Sequence, residues 1–351
     1  MGSSSTEDTA GESPFFLRDP GALWLGRSGH LWVADSGHGR VLKVASDGRV
    51  LASFGAPPGA DDALAEPDFD EAIALSGLRL SAPRGLALAA DERVLFVADG
   101  GSRCIWRVDV RAASARLMAS PPGRSAASHD GRAVGAQFSA RGAMVSEARA
   151  LALDEDADAL YLAMADCRQI WRLDISAGQM VVLAGDSHGG AAGRESPGPA
   201  HADAQADGPL HRATFAHPCG VVLAPDRKRL YIADRGSGAV RIVHLSDDTT
   251  TTLISAEDGL SGCTDVAIGP GGFVVVDADH DVLWGVNPRH RTLTRLWGGP
   301  GQLSRPSAVA FDRDNHSYVV ADAGNHRLVR LMRDMSGATE MRLHTGGADS
   351  R

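Results

Sequence analysis

The chain has 351 residues, 43% hydrophobic and 23% charged, values ordinary for a folded globular protein and far from those of a disordered or fibrous one. Its 35 basic residues are outnumbered by 44 acidic ones, and the net charge of −9 is spread along the chain, which argues against nucleic acid as a partner. No apolar run reaches the roughly 18 residues of a membrane-spanning helix, so no membrane span is expected.

Met1-Gly2-Ser3-Ser4-Ser5-Thr6 matches the pattern of N-myristoylation at Gly2. Glu7 and Asp8 follow at once and would be repelled by an anionic leaflet. Residues 1–13 are therefore expected to form an unmodified, disordered polar leader of a soluble cytoplasmic protein, and 347–351 a short tail. Cys104, Cys167, Cys219 and Cys263 are far apart, with no CxxC spacing, and read as reduced thiols.

From residue 14 to 346 the sequence repeats itself six times. The first strand of each unit alternates small and large residues: Gly21 to Leu25, Arg84 to Leu88, Arg149 to Leu153, Cys219 to Leu223, Thr264 to Ile268 and Ser307 to Phe311. A second strand ends at Asp35, Asp99, Met164, Asp234, Asp277 and Asp322, positions 64, 65, 70, 43 and 45 residues apart. A third strand begins five or six residues later, as in Ile105 to Val108 and Ile170 to Leu173, and several units show a fourth, such as Gln179 to Leu183. Four short strands in a meander make one propeller blade of about 40–45 residues, so the last two spacings are bare blades and the first three carry extra loop. The predicted fold is all-β, a six-bladed β-propeller of four-stranded antiparallel blades, with long connections at about 56–82, 119–147 and 186–216. Those connections are expected to roof one face of the ring, although the composition of 186–206 also fits a disordered expansion.

The units resemble NHL repeats, in which a Pro-x-Gly inner strand leads to a V-A-D ending and an Asn-x-Arg turn. The sixth carries the resemblance most fully, with Arg305-Pro306-Ser307-Ala308 followed by Val320-Ala321-Asp322 and Asn325-His326-Arg327. The third unit, Leu160 to Trp171 with Met164 in place of Asp, is similar to the divergent blade of the family that joins a thioredoxin-like domain to an NHL propeller. The chain has neither a thioredoxin region nor a CxxC, so the redox half of that family's chemistry does not carry over.

Recurrence separates structural residues from candidates for function. Asp35, Asp99, Asp234, Asp277 and Asp322 recur around the ring, and an Asp at a strand end accepts turn N–H groups, with Arg40 and Arg327 completing the same turns. His38, His280 and His326 fall in equivalent turns and, with Asp279 and Asp281, admit a metal site on paper; without a short ligand motif they read as exposed loop histidines, and no metal or cofactor is expected. Trp106, Trp171 and Trp284 share one third-strand position and Trp24 and Trp32 lie in the first blade, which points to packing between blades. Arg227-Lys228-Arg229 reads as a solvated turn on the opposite face.

The residues opening the innermost strands, Gly21, Arg84, Arg149, Cys219, Thr264 and Ser307, are expected at the channel mouth. Arg84 and Arg149 could hold an anion or a partner's carboxylate, while Asp265, where other blades place Gly or Ala, could neutralise them. The leading expectation is a non-catalytic propeller that binds a protein or peptide. The alternative is an enzyme working in the channel, as in propeller lactonases and lyases, and RNA binding ranks last.

Overall fold

The computed structural model describes residues 15–57, 71–121, 137–140, 146–185, 206–334 and 336–345. The leader with its Gly2 motif, the tail and most of the long connections lie outside the described residues.

Six antiparallel sheets follow one another along the chain, each a meander running from the axis outward. Blade one is Pro20–Leu25, Leu31–Asp35, Arg40–Val44 and Val50–Phe54. The inner strands of blades two to six are Pro83–Leu88, Ala148–Asp154, Pro218–Leu223, Cys263–Gly269 and Ala308–Asp312. They start within two residues of the predicted positions. Helix among the described residues is limited to single 3-10 turns, such as Ser36–His38 at the end of a second strand.

Each second strand is packed on both faces by neighbouring blades, which is why Leu31–Asp35 and Ser317–Asp322 are buried at every position and read as near-continuous apolar runs. The core is divided into six clusters, one per blade interface. Trp106 packs between blades one and two and Trp171 between two and three, as their shared repeat position implies. Burying one such large side chain is worth roughly 1.5–3 kcal/mol.

Because both end blades are built from four consecutive strands, no strand is shared between the chain's two ends among the described residues. Closure rests on the cluster joining blades six and one and on a short clasp. His344 forms a bridge with Arg49, donates to the Gly48 carbonyl at 3.2 Å and accepts the Val50 N–H at 2.9 Å, while Phe15 donates to the Leu343 carbonyl at 3.0 Å. Gly48 has φ +95°, and any Cβ there would run into the Arg342 carbonyl oxygen, so the clasp needs glycine.

The roof expected of the long connections falls mostly on residues outside the described ones. Their described portions run to the outer rim, where Ile73–Ala74, Gln137–Ser139 and Gly208–Pro209 each add a short fifth strand to the outer edge of the next blade. An unpaired strand edge is a template for unwanted pairing, and these segments cover three of the six.

Candidate functional site

The recurrent Asp residues staple their own turns, as Asp277 does in accepting the Asp279 and His280 N–H groups, and they also reach further. Asp99 accepts the N–H groups of Ser81 and Ala82, and Asp234 those of Ala216 and His217, all 17–18 residues upstream. An antiparallel hairpin places the end of the second strand beside the start of the first, so the carboxylate holds the chain arriving from the previous blade. Asp35 and Asp322 each receive one such N–H and the guanidinium of Arg40 or Arg327, at 2.7 and 2.8 Å. Asp277 receives Gly262 N–H at 3.0 Å and the Trp284 indole at 3.1 Å. In blade three, where Met164 replaces Asp, the hydroxyl of buried Ser146 accepts Asp166 and Cys167 N–H groups at 3.0 and 3.3 Å. The staple there is moved from one strand end to the other.

His280 and His326 are exposed in their turns and His38 is half-buried, and all three are tied into these networks. His38 and His280 contact Asp35 and Asp277 at 2.9 and 2.8 Å, and His326 Nδ1 accepts the Asp19 N–H at 3.1 Å. Asp279 pairs with Arg235 at 2.7 Å, and Asp281 accepts the Arg305 N–H at 2.6 Å. The basic triplet is a paired surface turn: Arg227 contacts Asp154 and Asp156, and Arg229 pairs with Asp226.

The channel mouth is created by a recurring bulge. In blades one to five the pairing of first and second strands slips after its first pair, leaving Gly21, Arg84, Arg149, Cys219 and Thr264 without a partner opposite. A bulge re-aims the extra residue's side chain. Here it turns those residues, with Ser307 of blade six, onto one cavity of about 200 Å³. All six predicted mouth residues line it, and they are joined by Asp19, Arg235 and Arg305.

Most polar groups at the mouth are committed to stitching one blade to the next. Ser36 Oγ donates to the Pro83 carbonyl, Thr264 Oγ1 to that of Pro306 at 3.2 Å and Ser307 Oγ to that of Pro20. Arg84 pairs with Asp19 at 3.0 Å and approaches Glu147 at 3.8 Å, and Arg149 meets the same Glu147 at 3.3 Å. Arg235 reaches across to Asp279 of blade five. The arginines are thus neutralised by Asp19, Glu147 and Asp279, not by Asp265. The Asp265 carboxylate accepts Val266 N–H at 2.8 Å and Val309 N–H at 3.0 Å, and burial pushes its pKa up to about 7. The reason is geometric. At the equivalent position of blade four, Gly220, an added Cβ would lie 3.0 Å from the Asp265 Cα, so these positions mark where inner strands approach, and the longer Asp265 side chain reaches the next strand's backbone.

Cys219 donates to the His217 carbonyl at 3.4 Å, and burial pushes its thiol up to about 12. It is a neutral thiol, unlike the thiolate that nucleophilic chemistry requires. His217 is pushed down by burial and then by the charge of Arg149, so it is neutral near pH 7. All four cysteines are free, and three are buried.

Arg235 and Arg305 escaped the sequence reading. Each belongs to a repeat column of its own: Arg235 directly follows a staple Asp, and Arg305 stands just before Pro306, in the column where other blades place Asp19, Ala82, Glu147, His217 and Gly262. Aligning those two columns would have found both.

Comparison with known proteins agrees with this architecture. Residues 303–331 match the NHL repeat model. The chain is 26% identical over 328 residues to NHL repeat-containing protein 2 of Gallus gallus, a match covering 92% of this chain and 39% of that protein. The chain thus spans about two-fifths of the length of that curated relative. Among solved structures, the fold is similar to a propeller in a nidogen/laminin complex, with TM-score 0.59, 14% identity and coverage of 90% of this chain and 93% of the other. It is also similar to a catalytically inactive virginiamycin B lyase of Staphylococcus aureus solved with quinupristin, with TM-score 0.53, 12% identity and coverage of 97% and 89%.

Proposed function

We propose that this six-bladed NHL-repeat propeller is a non-catalytic scaffold that binds a protein or peptide at its channel mouth. The observation that carries the reading is a contrast between repeat columns. Where a position serves the fold, the blades agree, as at the staple Asp. At the start of the inner strand, a bulge in blades one to five and Ser307 in blade six present Gly, Arg, Arg, Cys, Thr and Ser to a single cavity. A fold-determined position would repeat; this one varies while sharing one place.

Size favours a macromolecular partner. Sites for cofactors and drug-sized ligands typically occupy about 300–1,000 Å³. A cavity of about 200 Å³ at the centre of a broad ring face is better suited to one side chain of a partner laid across that face. The nidogen/laminin structure offers an example of the same architecture within a protein complex. The inert Cys219 thiol weighs against covalent chemistry at the mouth.

The test is affinity capture from the native source with the wild-type chain and with Thr264→Trp, which plugs the mouth. The scaffold reading requires a partner retained by the wild type and lost by the folded variant. Equal retention by both would place binding elsewhere.

A further inference from the structure

We infer that the mouth receives a side-chain carboxylate, a Glu or Asp of the partner, and that Arg305 and Arg149 are the groups that hold it. The inference rests on the scaffold reading and supplies its chemistry. Four arginines line the cavity, and the side chains of three of them meet a carboxylate, Asp19, Glu147 or Asp279. The fourth guanidinium meets none among the described residues, Asp281 accepting only that residue's backbone N–H, on a face belonging to a protein of net charge −9.

The unmatched charge is that of Arg305. Its backbone is held, with φ +43° and its N–H on Asp281 at 2.6 Å, but among the described residues its exposed guanidinium has no hydrogen bond or ion pair. Arg149 is half used. One Nη meets Glu147 at 3.3 Å, while its buried Nε has no acceptor, a state that costs stability unless something answers it. Two under-used guanidinium forks on one cavity make a site for a planar, doubly accepting anion, which a carboxylate is.

The same geometry selects a side chain over a chain terminus. C-terminal carboxylates are commonly captured by clustered backbone N–H groups. The charged donors lining this cavity are the guanidinium groups of Arg84, Arg149, Arg235 and Arg305, while the nearby N–H groups of Val266 and Val309 are taken by Asp265. The volume of about 200 Å³ corresponds to roughly six or seven waters at about 30 Å³ each, enough for a carboxylate and its stem.

The experiment follows the arginine Nε–Hε signals of the full chain by heteronuclear NMR, assigned with Arg305→Ala and Arg149→Ala, during titration with N-acetylglutamic acid α-amide. Saturable shifts are expected at Arg305 and Arg149. Arg305→Ala, whose side chain makes no internal bond and whose loss leaves the amide spectrum folded, should weaken binding at least fivefold, and N-acetylglutamine amide should leave the signals in place. An equal response to the neutral amide, or binding undiminished in Arg305→Ala, overturns the inference. So does tighter binding of N-acetylalanine, which would assign the mouth to a chain terminus, or of oligouridylate, which would assign it to phosphate. If these probes fail while Thr264→Trp still abolishes capture, the carboxylate is wrong and the scaffold stands. Capture insensitive to Thr264→Trp removes both.

Discussion

The carboxylate of Asp265 on the inner strand of blade five accepts the N–H of Val309 on the inner strand of blade six at 3.0 Å. This bond makes Asp265 a seam between blades and gives it a distinctive pH signature. Burial raises its folded pKa to about 7, from the ordinary value of 3.8. For an acid whose folded pKa is raised, the folded state binds more protons than the unfolded one, so the contribution to stability is present below about pH 4 and is lost as pH rises through 7. Denaturant unfolding at a series of pH values should show the wild type losing stability, relative to Asp265→Asn, between pH 4 and 7 and holding a constant difference above 8. Parallel profiles would contradict the assignment.

The staple arrangement predicts equal consequences in unlike residues. Asp322→Ala strands the Ser304 N–H and the Asn325 and Arg327 side chains, and Ser146→Ala strands the N–H groups of Asp166 and Cys167. Each should destabilise the ring by about 1–3 kcal/mol. Thermal unfolding measures both, and a neutral Ser146→Ala would show that Met164 has no replacement in blade three.

The clasp is the third expectation. Deleting residues 342–351 removes three backbone hydrogen bonds between chain ends and the buried Leu343 side chain. At about 1 kcal/mol per bond and roughly 1.5–3 kcal/mol for the leucine, the loss is about 4.5–6 kcal/mol. Chemical denaturation of the shortened chain decides it, and unchanged stability would mean that the core between blades six and one closes the ring alone.

Thiol chemistry offers a simple check on the mouth. Burial pushes Cys219 up to about 12 and Cys104 up to about 11, whereas Cys167 is half exposed. Iodoacetamide at pH 8 should modify Cys167 first and leave Cys219 untouched until the protein unfolds. Rapid native-state alkylation of Cys219 would restore a nucleophilic reading.

The blades were legible because each repeats a strand pattern dictated by burial on both faces, and the first residues of the inner strands located the mouth within the repeat. What could not be read was pairing. The bulge that turns Arg84 and Arg149 to the axis depends on which residue sits opposite which, and a slip of one residue leaves no compositional mark. The two-residue strand Ile73–Ala74 is too short to show a period. Ser146 carries no pattern of its own, because its role exists only where Met164 has displaced Asp. Asp265 was expected at the mouth, yet it is not among the cavity's lining residues, and its choice of Val309 N–H over the arginines rests on the closeness of two inner strands, a tertiary fact.

The claim that the mouth is the binding face is tested most directly by photo-cross-linking. A benzoylphenylalanine placed at Ser307, on the mouth, should cross-link a partner in native extract, while one at Lys228, in the turn of the opposite face, should not. A partner captured equally from Lys228, or from Lys228 alone, would contradict it.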